Sequence, residues 1–529
     1  MNYPIVLRLL GMVSWLMGAT MLGSVPWAFP WFGQAEHIEW QGLIALAGSI
    51  AGCVVLGGVF RYLGRGANVS IYRREAMAVV GLSWVLATAL GALPYLFSHS
   101  SIAWADYDSG QRRLMNVADC LFESQSGFST TGATVLTDIE DPLLLPRCIL
   151  FWRCSTHFLG GLGIIVLFVA VLGQGSAGKA LMRAEIPGPS KEGSQERMQH
   201  TAWTFAAIYC ALNLVLAVLL KIEGMNWFDA ICHAFGTMAT GGFSTYNASL
   251  GYFNSAAIDY TVLVFMIIAG MNFTLIYLVT VGRGAIMLRD VEWRSYMAII
   301  LGGSLLLGVI SVYLYEDFDR EGVLSDASEA ISAARYVPFT FVSILTTTGF
   351  GTHDFDQWNQ FGRAMLFLLM FVGGCAGSTG GGMKVIRHVL FVKILRLEIE
   401  HSFHPNVVRH LRLGGVPIPD PELRRAILLY FGLVTFLFMF SWILLVGLEP
   451  DATWTEHNQP LQNKLIDSAS AVAATLNNIG PGLGTVGATQ NYSAFSSFAK
   501  LLFVLLMMLG RLELFPVLVL GMPSFWRSK

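Results

Sequence analysis

The stretch FESQSGFSTTGAT at 122–134 closes a short amphipathic segment with a Thr/Gly loop, and the same arrangement returns three more times. The loops read STTGAT at 129–134, ATGGFST at 239–245, TTTGFGT at 346–352 and LNNIGPGLGT at 476–485. Their glycines Gly132, Gly242, Gly349 and Gly480 recur at similar intervals, the last being longer. The segment before each loop is too short to cross a bilayer, which takes about 20 residues. A half-helix entering a membrane aims its C-terminal end, with its partial negative charge, at the centre, and this favours a cation there. The loop that follows offers backbone carbonyls in place of the ion's water. Glycine suits such a loop because it adopts positive φ and leaves no Cβ to crowd four converging strands. Irregular backbone at this depth is tolerated only where it is buried in protein or lines a water-filled cavity. Small residues that merely pack helices would explain one such loop; they do not explain four.

Composition sets the frame. The chain has 529 residues, 54% hydrophobic and only 13% charged, against about a quarter charged in soluble globular proteins. It reads as a polytopic membrane protein whose medium is the lipid bilayer. The net charge of −2 offers nothing to a nucleic acid. The seven cysteines (Cys53, Cys120, Cys148, Cys154, Cys210, Cys232 and Cys375) show no CxxC spacing. They read as small buried hydrophobes rather than a disulfide or zinc framework. The N-terminal apolar run lacks a cleavage site and reads as an uncleaved first helix.

Two apolar segments, 5–29 and 41–60, precede four copies of one plan: long helix, half-helix, Gly loop, long helix. The first uses 76–97, 116–128 and 147–172; the second 199–221, 227–238 and 258–282; the third 293–315, 333–345 and 362–395; the fourth 423–447, 465–475 and 498–521. The expected fold is therefore an all-α polytopic membrane protein. Four pseudo-symmetric helix–pore-helix–loop–helix repeats surround a central pore, with two N-terminal transmembrane helices added. The corresponding units are a helix pair at 1–70 and pore repeats at 71–190, 191–290, 291–400 and 401–529. An insertion at 397–420, rich in His, Arg and Pro, lengthens the last interval. Basic residues such as Arg61, Arg65, Arg74, Lys179, Arg183, Arg289, Arg387, Arg412 and Arg527 fall on one side of these helices, and acidic ones such as Asp106, Asp138, Glu223, Glu316 and Asp451 on the other. The positive-inside rule then puts both termini and the between-repeat loops in the cytoplasm, with the half-helices entering from outside.

The candidate cation filter comprises Thr130, Thr131 and Gly132; Thr240, Gly241 and Gly242; Thr347, Thr348 and Gly349; and Asn477, Asn478, Ile479 and Gly480. The fourth loop departs from the Thr/Gly pattern, so the expected selectivity is looser than that of a strict tetramer. No carboxylate ring is present in the loops to favour multivalent ions. A second site is the run at 373–383, with Gly373, Gly374, Gly377, Ser378, Thr379, Gly380, Gly381 and Gly382. Each glycine costs about 1 kcal/mol in a helix interior, so the run should break its helix and lie across the pore below the filter; close helix packing is the competing reading. Lys384 and Arg511 are intramembrane charges, which are costly and usually functional. Arg511 is expected mid-helix, facing the pore as an electrostatic barrier; an ion pair with another repeat is the alternative. Glu513, two residues on, has poor helical spacing to pair with it.

Two other functional classes fit the sequence less well. AGSTG at 376–380 approaches a nucleophile elbow, but its first residue is Ala and no His/Asp partner signature accompanies it, so an enzyme is not expected. A proton- or sodium-coupled symporter would need buried carboxylate relays. Asp119, Glu123, Asp229 and Asp467 lie near half-helix starts, where N-capping accounts for them. A less selective monovalent cation channel also remains open.

The chain resembles the Trk/Ktr/HKT superfamily of potassium transporters, in particular the membrane subunits of bacterial Trk systems. The stretches that carry this are LPYLFSHS (93–100), FESQSGFSTTGAT (122–134), FLGGLGIIVL (158–167), RAEIPGP (183–189), GGFSTYNASLGYF (241–253), GGCAGSTGGGMKVIR (373–387), HPNVV (404–408), ATLNNIGPGLG (474–484) and GRLELFPVLVL (510–520). The resemblance implies a four-repeat pore in the bacterial inner membrane, with potassium as the permeant ion. It also implies a homodimer, a cytoplasmic TrkA-type nucleotide-binding ring as partner, a gate role for the Gly run, and no nucleotide on this chain. The loops at 175–198 and 397–425 are the expected docking surfaces.

Overall fold

The computed structural model describes residues 1–32, 37–66, 72–103, 112–163, 195–313, 326–405, 409–414, 416–418, 421–455 and 460–527. The protein is an all-α polytopic bundle. Among the described residues six helices are long and apolar enough to span a membrane, and a bent pair would make a seventh. Helices Tyr3–Met21 and Trp40–Leu63 form the N-terminal pair. Each repeat then contributes an outer helix: Arg73–Phe97, Gln195–Ile222, Val291–Tyr313 and Pro421–Leu448. The half-helices are Val117–Phe128, Trp227–Met238, Asp326–Leu345 and Lys464–Leu476. The third is longer than the expected 333–345.

Local chemistry sets where the half-helices start. Asn116 and Asn226 each accept the N–H three residues on, from Asp119 and Asp229, the N-cap arrangement that satisfies one otherwise orphaned donor. Asp119 answers by accepting the Asn116 N–H, completing a capping box. The first, second and fourth half-helices are mostly buried, while the third is buried over its second half and leaves Ile331 exposed. The outer helices instead leave Leu214, Leu301, Leu305, Phe436 and Ile443 exposed, as lipid-facing surfaces do.

Three inner helices are broken, two of them against expectation. The segment 258–282 is broken into Ala256–Ala269 and Phe273–Thr280, which meet at 104°. The segment 362–395 is interrupted by the glycine run, as expected, leaving Gln360–Leu369 and Val385–Phe403. The last helix runs Ser497–Arg511 and resumes only at Phe515–Leu520. Glu513 and Leu514 take positive φ, 54° and 69°, between them, so Arg511 ends a helix rather than lying mid-helix. In the first repeat the inner helix is Arg147–Leu162, and its expected continuation to 172 lies outside the described residues. Most of the insertion at 397–420 is helix to Phe403 and a short hairpin pairing Leu411–Leu413 with Val416–Ile418. The expected docking loop at 175–198 lies almost wholly outside the described residues.

The two ends of the chain share one end of the bundle. The Tyr3 hydroxyl donates to the Trp526 carbonyl at 2.8 Å, and Arg74 to the Ser524 carbonyl at 3.1 Å.

Candidate permeation site

Each half-helix ends in the same hydrogen-bonded turn. In the first, Thr130 N–H donates to the Gly127 carbonyl and Thr131 N–H to the Ser126 carbonyl. The second repeats this with Thr240 to Thr237 and Gly241 to Gly236, the third with Thr347 to Ile344 and Thr348 to Ser343, the fourth with Asn478 to Thr475 and Ile479 to Ala474. This is the Schellman pattern, whose pivot residue must be left-handed and is usually glycine. Here the pivots are Thr130, Thr240, Thr347 and Asn478, at φ of 54°, 52°, 58° and 57°. A non-glycine held there costs on the order of 1–3 kcal/mol. Four equivalent outliers set these loops apart from ordinary helix ends, and such strain clusters at functional sites. Asn477 stands one place before this triplet, level with Ser129, Ala239 and Thr346.

The loops meet in a closed ring. A Cβ added to Gly132 would collide with the carbonyl oxygen of Gly241; on Gly242, with that of Thr348; on Gly349, with that of Ile479; on Gly480, with that of Thr131. Each ring glycine thus abuts the carbonyl one place before the glycine of the next repeat, in the order one, two, three, four and back to one. All four glycines have positive φ, so both the conformation and the space require glycine. Loops one and three carry matching braces: Ser129 with Thr131, and Thr346 with Thr348, hydroxyl to hydroxyl at 2.7 Å.

Polar bonds tie neighbouring repeats together behind the ring. Glu123, fully buried, accepts from Arg153 Nε at 2.6 Å, from the Thr134 hydroxyl at 2.9 Å and from Val135 N–H at 3.0 Å. Arg153 also donates to the Ser244 carbonyl at 3.0 Å and lies 3.5 Å over the Phe243 ring, so it joins repeats one and two. Arg335 pairs with Asp259 at 2.7 Å between repeats two and three. Both oxygens of Asp356 accept the Gly484 N–H at 3.0 Å between three and four. Lys500 pairs with Asp119 at 2.7 Å between four and one. Asp356 lies outside the spans; burial pushes its carboxyl up to about 6, against the lowering influence of the Gly484 N–H and Arg363.

N-capping therefore accounts for Asp119 and Asp229 only in part, and for Glu123 not at all. Asp119 also pairs with Arg113 and Lys500, and Asp229 accepts from Thr245 and Tyr246. Asp467 accepts from Trp454 and Thr485.

Below the ring lies the Gly run. Gly381 N–H donates to the Thr347 hydroxyl at 2.8 Å, and the hydroxyls of Thr379 and Thr240 are 3.4 Å apart. Gly382 is so close to the Asn477 carbonyl that a Cβ would lie 3.2 Å from it. The broken second inner helix holds the run: Cys375 N–H donates to the Gly270 carbonyl, the Thr379 hydroxyl to the Ala269 carbonyl, and Phe273 N–H to the Gly377 carbonyl. Gly373 N–H bonds across the run to the Met383 carbonyl, and Gly374 packs on Gly270. Lys384 turns back onto the carbonyls of Gly380 and Gly381, while Arg511 donates to the Thr379 carbonyl at 2.6 Å and the Gly160 carbonyl at 2.5 Å. Arg511 thus bridges repeat one and the run. Glu513 goes to Arg387, which also faces Tyr430. A cavity of ≈ 140 Å³ opens beside these groups, lined among others by Trp84, Tyr209, Phe273, Ser378 and Arg511.

Arg153, His157 and Glu292 were missed by sequence reasoning. The signal for the first two was RCSTH at 153–157, an i, i+4 pair of polar residues on an apolar helix. Glu292 accepts the N–H groups of Ala376, within the run, and of Ile386, just beyond it.

Comparison with known proteins is direct. The TrkH family model, described as cation transport protein, matches residues 45–528. The chain is 35% identical to the Trk system potassium uptake protein TrkH of Halomonas elongata over 534 residues, all of both chains. It is 32% identical to the Trk system potassium uptake protein TrkG of Escherichia coli K12, covering 89% of this chain and 90% of that one. The crystal structure of the potassium transporter TrkH from Vibrio parahaemolyticus superposes with a TM-score of 0.79 at 32% identity, covering 100% of each chain.

Proposed function

The chain belongs to the TrkH family of cation transport proteins, and from that membership we propose that it takes up potassium across the bacterial inner membrane along the axis of the glycine ring. The observation that carries this reading is the cyclic contact of Gly132, Gly242, Gly349 and Gly480 with the carbonyls of Gly241, Thr348, Ile479 and Thr131. Four half-helix ends, each worth about half an elementary charge, direct roughly two negative charges at one point. That suits a monovalent cation. Carbonyls of Thr130, Thr131, Gly132 and their counterparts replace water around it. Thr240, Gly241, Thr347, Thr348, Asn478 and Ile479 supply the corresponding backbone in the other repeats, with Asn477 behind the fourth.

The run from Gly373 to Gly382 acts as the gate, with Lys384 and Arg511 as its charged members. A fixed cation under the ring opposes a permeating one, and moving the run carries Lys384 with it and parts the Thr379 carbonyl from Arg511. The half-helices enter from the periplasmic side, both termini are cytoplasmic, and units 71–190, 191–290, 291–400 and 401–529 are the four pore repeats after the pair at 1–70. The protein works as a homodimer, and a cytoplasmic TrkA-type ring supplies nucleotide control. The test is cation flux through the purified chain in liposomes, compared with a Gly132→Ser variant. Potassium-selective flux that is lost or unselective in Gly132→Ser supports the reading; equal selectivity in both rejects it.

A further inference from the structure

The four loops are not braced alike. Loops one and three each close a hydroxyl pair behind the ring, Ser129 with Thr131 and Thr346 with Thr348. Loop four has Asn477 and Ile479 in those places, and Asn478 Nδ2 reaches the Thr131 hydroxyl at 3.0 Å and the Met507 carbonyl at 2.8 Å. Loop two has Ala239 and Gly241 there, and neither side chain can form the pair. The space behind Gly241 is filled from another repeat. A Cβ on Gly241 would lie 2.6–2.7 Å from three atoms of the His157 imidazole. His157 is fully buried, its ring stacks on Phe243 at 4.1 Å and 14°, and its Nδ1 accepts the Phe243 N–H at 3.4 Å. Arg153, one helical turn earlier, covers Phe243 at 3.5 Å. The inner helix of repeat one therefore clasps Phe243 between an imidazole and a guanidinium. Among the described residues the His157 Nε2 has no hydrogen-bond partner, a cost of about 1–3 kcal/mol that a purely structural filler such as Phe or Leu would avoid.

We propose that His157 is a specificity-determining positioning residue, the brace that loop two lacks in its own sequence. The lever is short. The imidazole backs Gly241, and the Gly241 carbonyl abuts Gly132, so the ring position sets the spacing between the first two loops. This rests on the reading of the loops as the ion filter. It also explains why loop two alone has glycine where loops one and three have threonine: the imidazole occupies the threonine's place.

The experiment uses full-length protein in liposomes and reads the potassium-to-sodium flux ratio. His157→Ala should keep flux and lower the ratio by roughly tenfold, the scale on which a small misfit in a binding site costs discrimination. Gly241→Thr alone should lose transport, because its side chain meets the imidazole. Combined with His157→Ala and Ala239→Ser, it recreates the hydroxyl pair of loops one and three and should recover both flux and ratio. An unchanged ratio in His157→Ala overturns the proposal. So does a Gly241→Thr protein that transports normally, or a triple variant no better than Gly241→Thr. If His157→Ala does not fold, the single and triple variants still decide. Gly132→Ser, run in parallel, separates the two readings. No shift there rejects the filter itself, whereas a shift there with none at His157 rejects only the brace.

Discussion

Removing Glu123 should be among the most damaging single changes in the protein. Its carboxylate is fully buried, and its partner Arg153 is 1% exposed. In Glu123→Leu the guanidinium keeps only the Ser244 carbonyl and the Phe243 face. Breaking a buried pair from one side costs about 3–5 kcal/mol. The Val135 N–H also loses its acceptor, adding roughly 1 kcal/mol or more. The expected loss is therefore about 4–6 kcal/mol, a large part of the 5–15 kcal/mol that typically separates folded from unfolded. Arg153→Met should cost about 3–5 kcal/mol by the same reasoning. The double variant removes both charges and leaves chiefly the Val135 and Thr134 donors unanswered, at about 1–3 kcal/mol each, so its loss should fall at least about 3 kcal/mol short of the summed single losses. Denaturant unfolding of the four proteins in detergent micelles measures the cycle. Single losses below about 1 kcal/mol, or losses that add within about 0.5 kcal/mol, would refute the account of this pair as a mutually dependent buried anchor that holds Arg153 for its contacts with repeat two.

Three other outcomes follow from the same geometry. Gly242→Ala should abolish uptake while the protein still reaches the membrane, since the new methyl meets the Thr348 carbonyl; normal uptake in a complementation assay would contradict it. Arg511→Ala removes donors to Thr379 and Gly160 and should raise rubidium leak through the unpartnered chain severalfold in liposomes; equal leak counts against a barrier. Asp356 has a raised carboxyl, so it favours the folded state when protonated, and that contribution is lost as the pH climbs from 3.8 through about 6. Wild type should therefore lose more stability over that interval than Asp356→Asn, and parallel curves in a thermal melt would reject the assignment.

The second half-helix was readable to the residue, 227–238, because Asn226 caps it and its apolar face repeats with helical period. The four loops were readable because Thr and Gly recur at fixed places. The break at 270–272 was not. Gly270 and Asn272 are the local marks of it, and Asn272 caps the second half by accepting the Thr274 N–H, but the flanking runs are apolar and what holds the bend is non-local: the Gly270 and Ala269 carbonyls bond to Cys375 and Thr379, more than a hundred residues away. The end of the last helix at Arg511 was hidden for a similar reason, since Glu513 turns to meet Arg387. Glu123 was misread for a different one. It sits nearly two turns inside a helix that begins at Val117, too far in to cap it, and counting from Asn116 would have said so. His157 stayed invisible because Phe243 and Gly241, which it packs on, belong to another repeat, and Arg153 because its partners Glu123, Ser244 and Phe243 all lie far from it in sequence.

The most direct test is to locate the ion. Crystals grown or soaked in thallium or rubidium salts give an anomalous signal that marks a monovalent cation. The account predicts a peak on the axis enclosed by Gly132, Gly242, Gly349 and Gly480, within coordination distance of backbone oxygens from all four loops. Peaks confined to the protein surface, with none inside the ring, would contradict it.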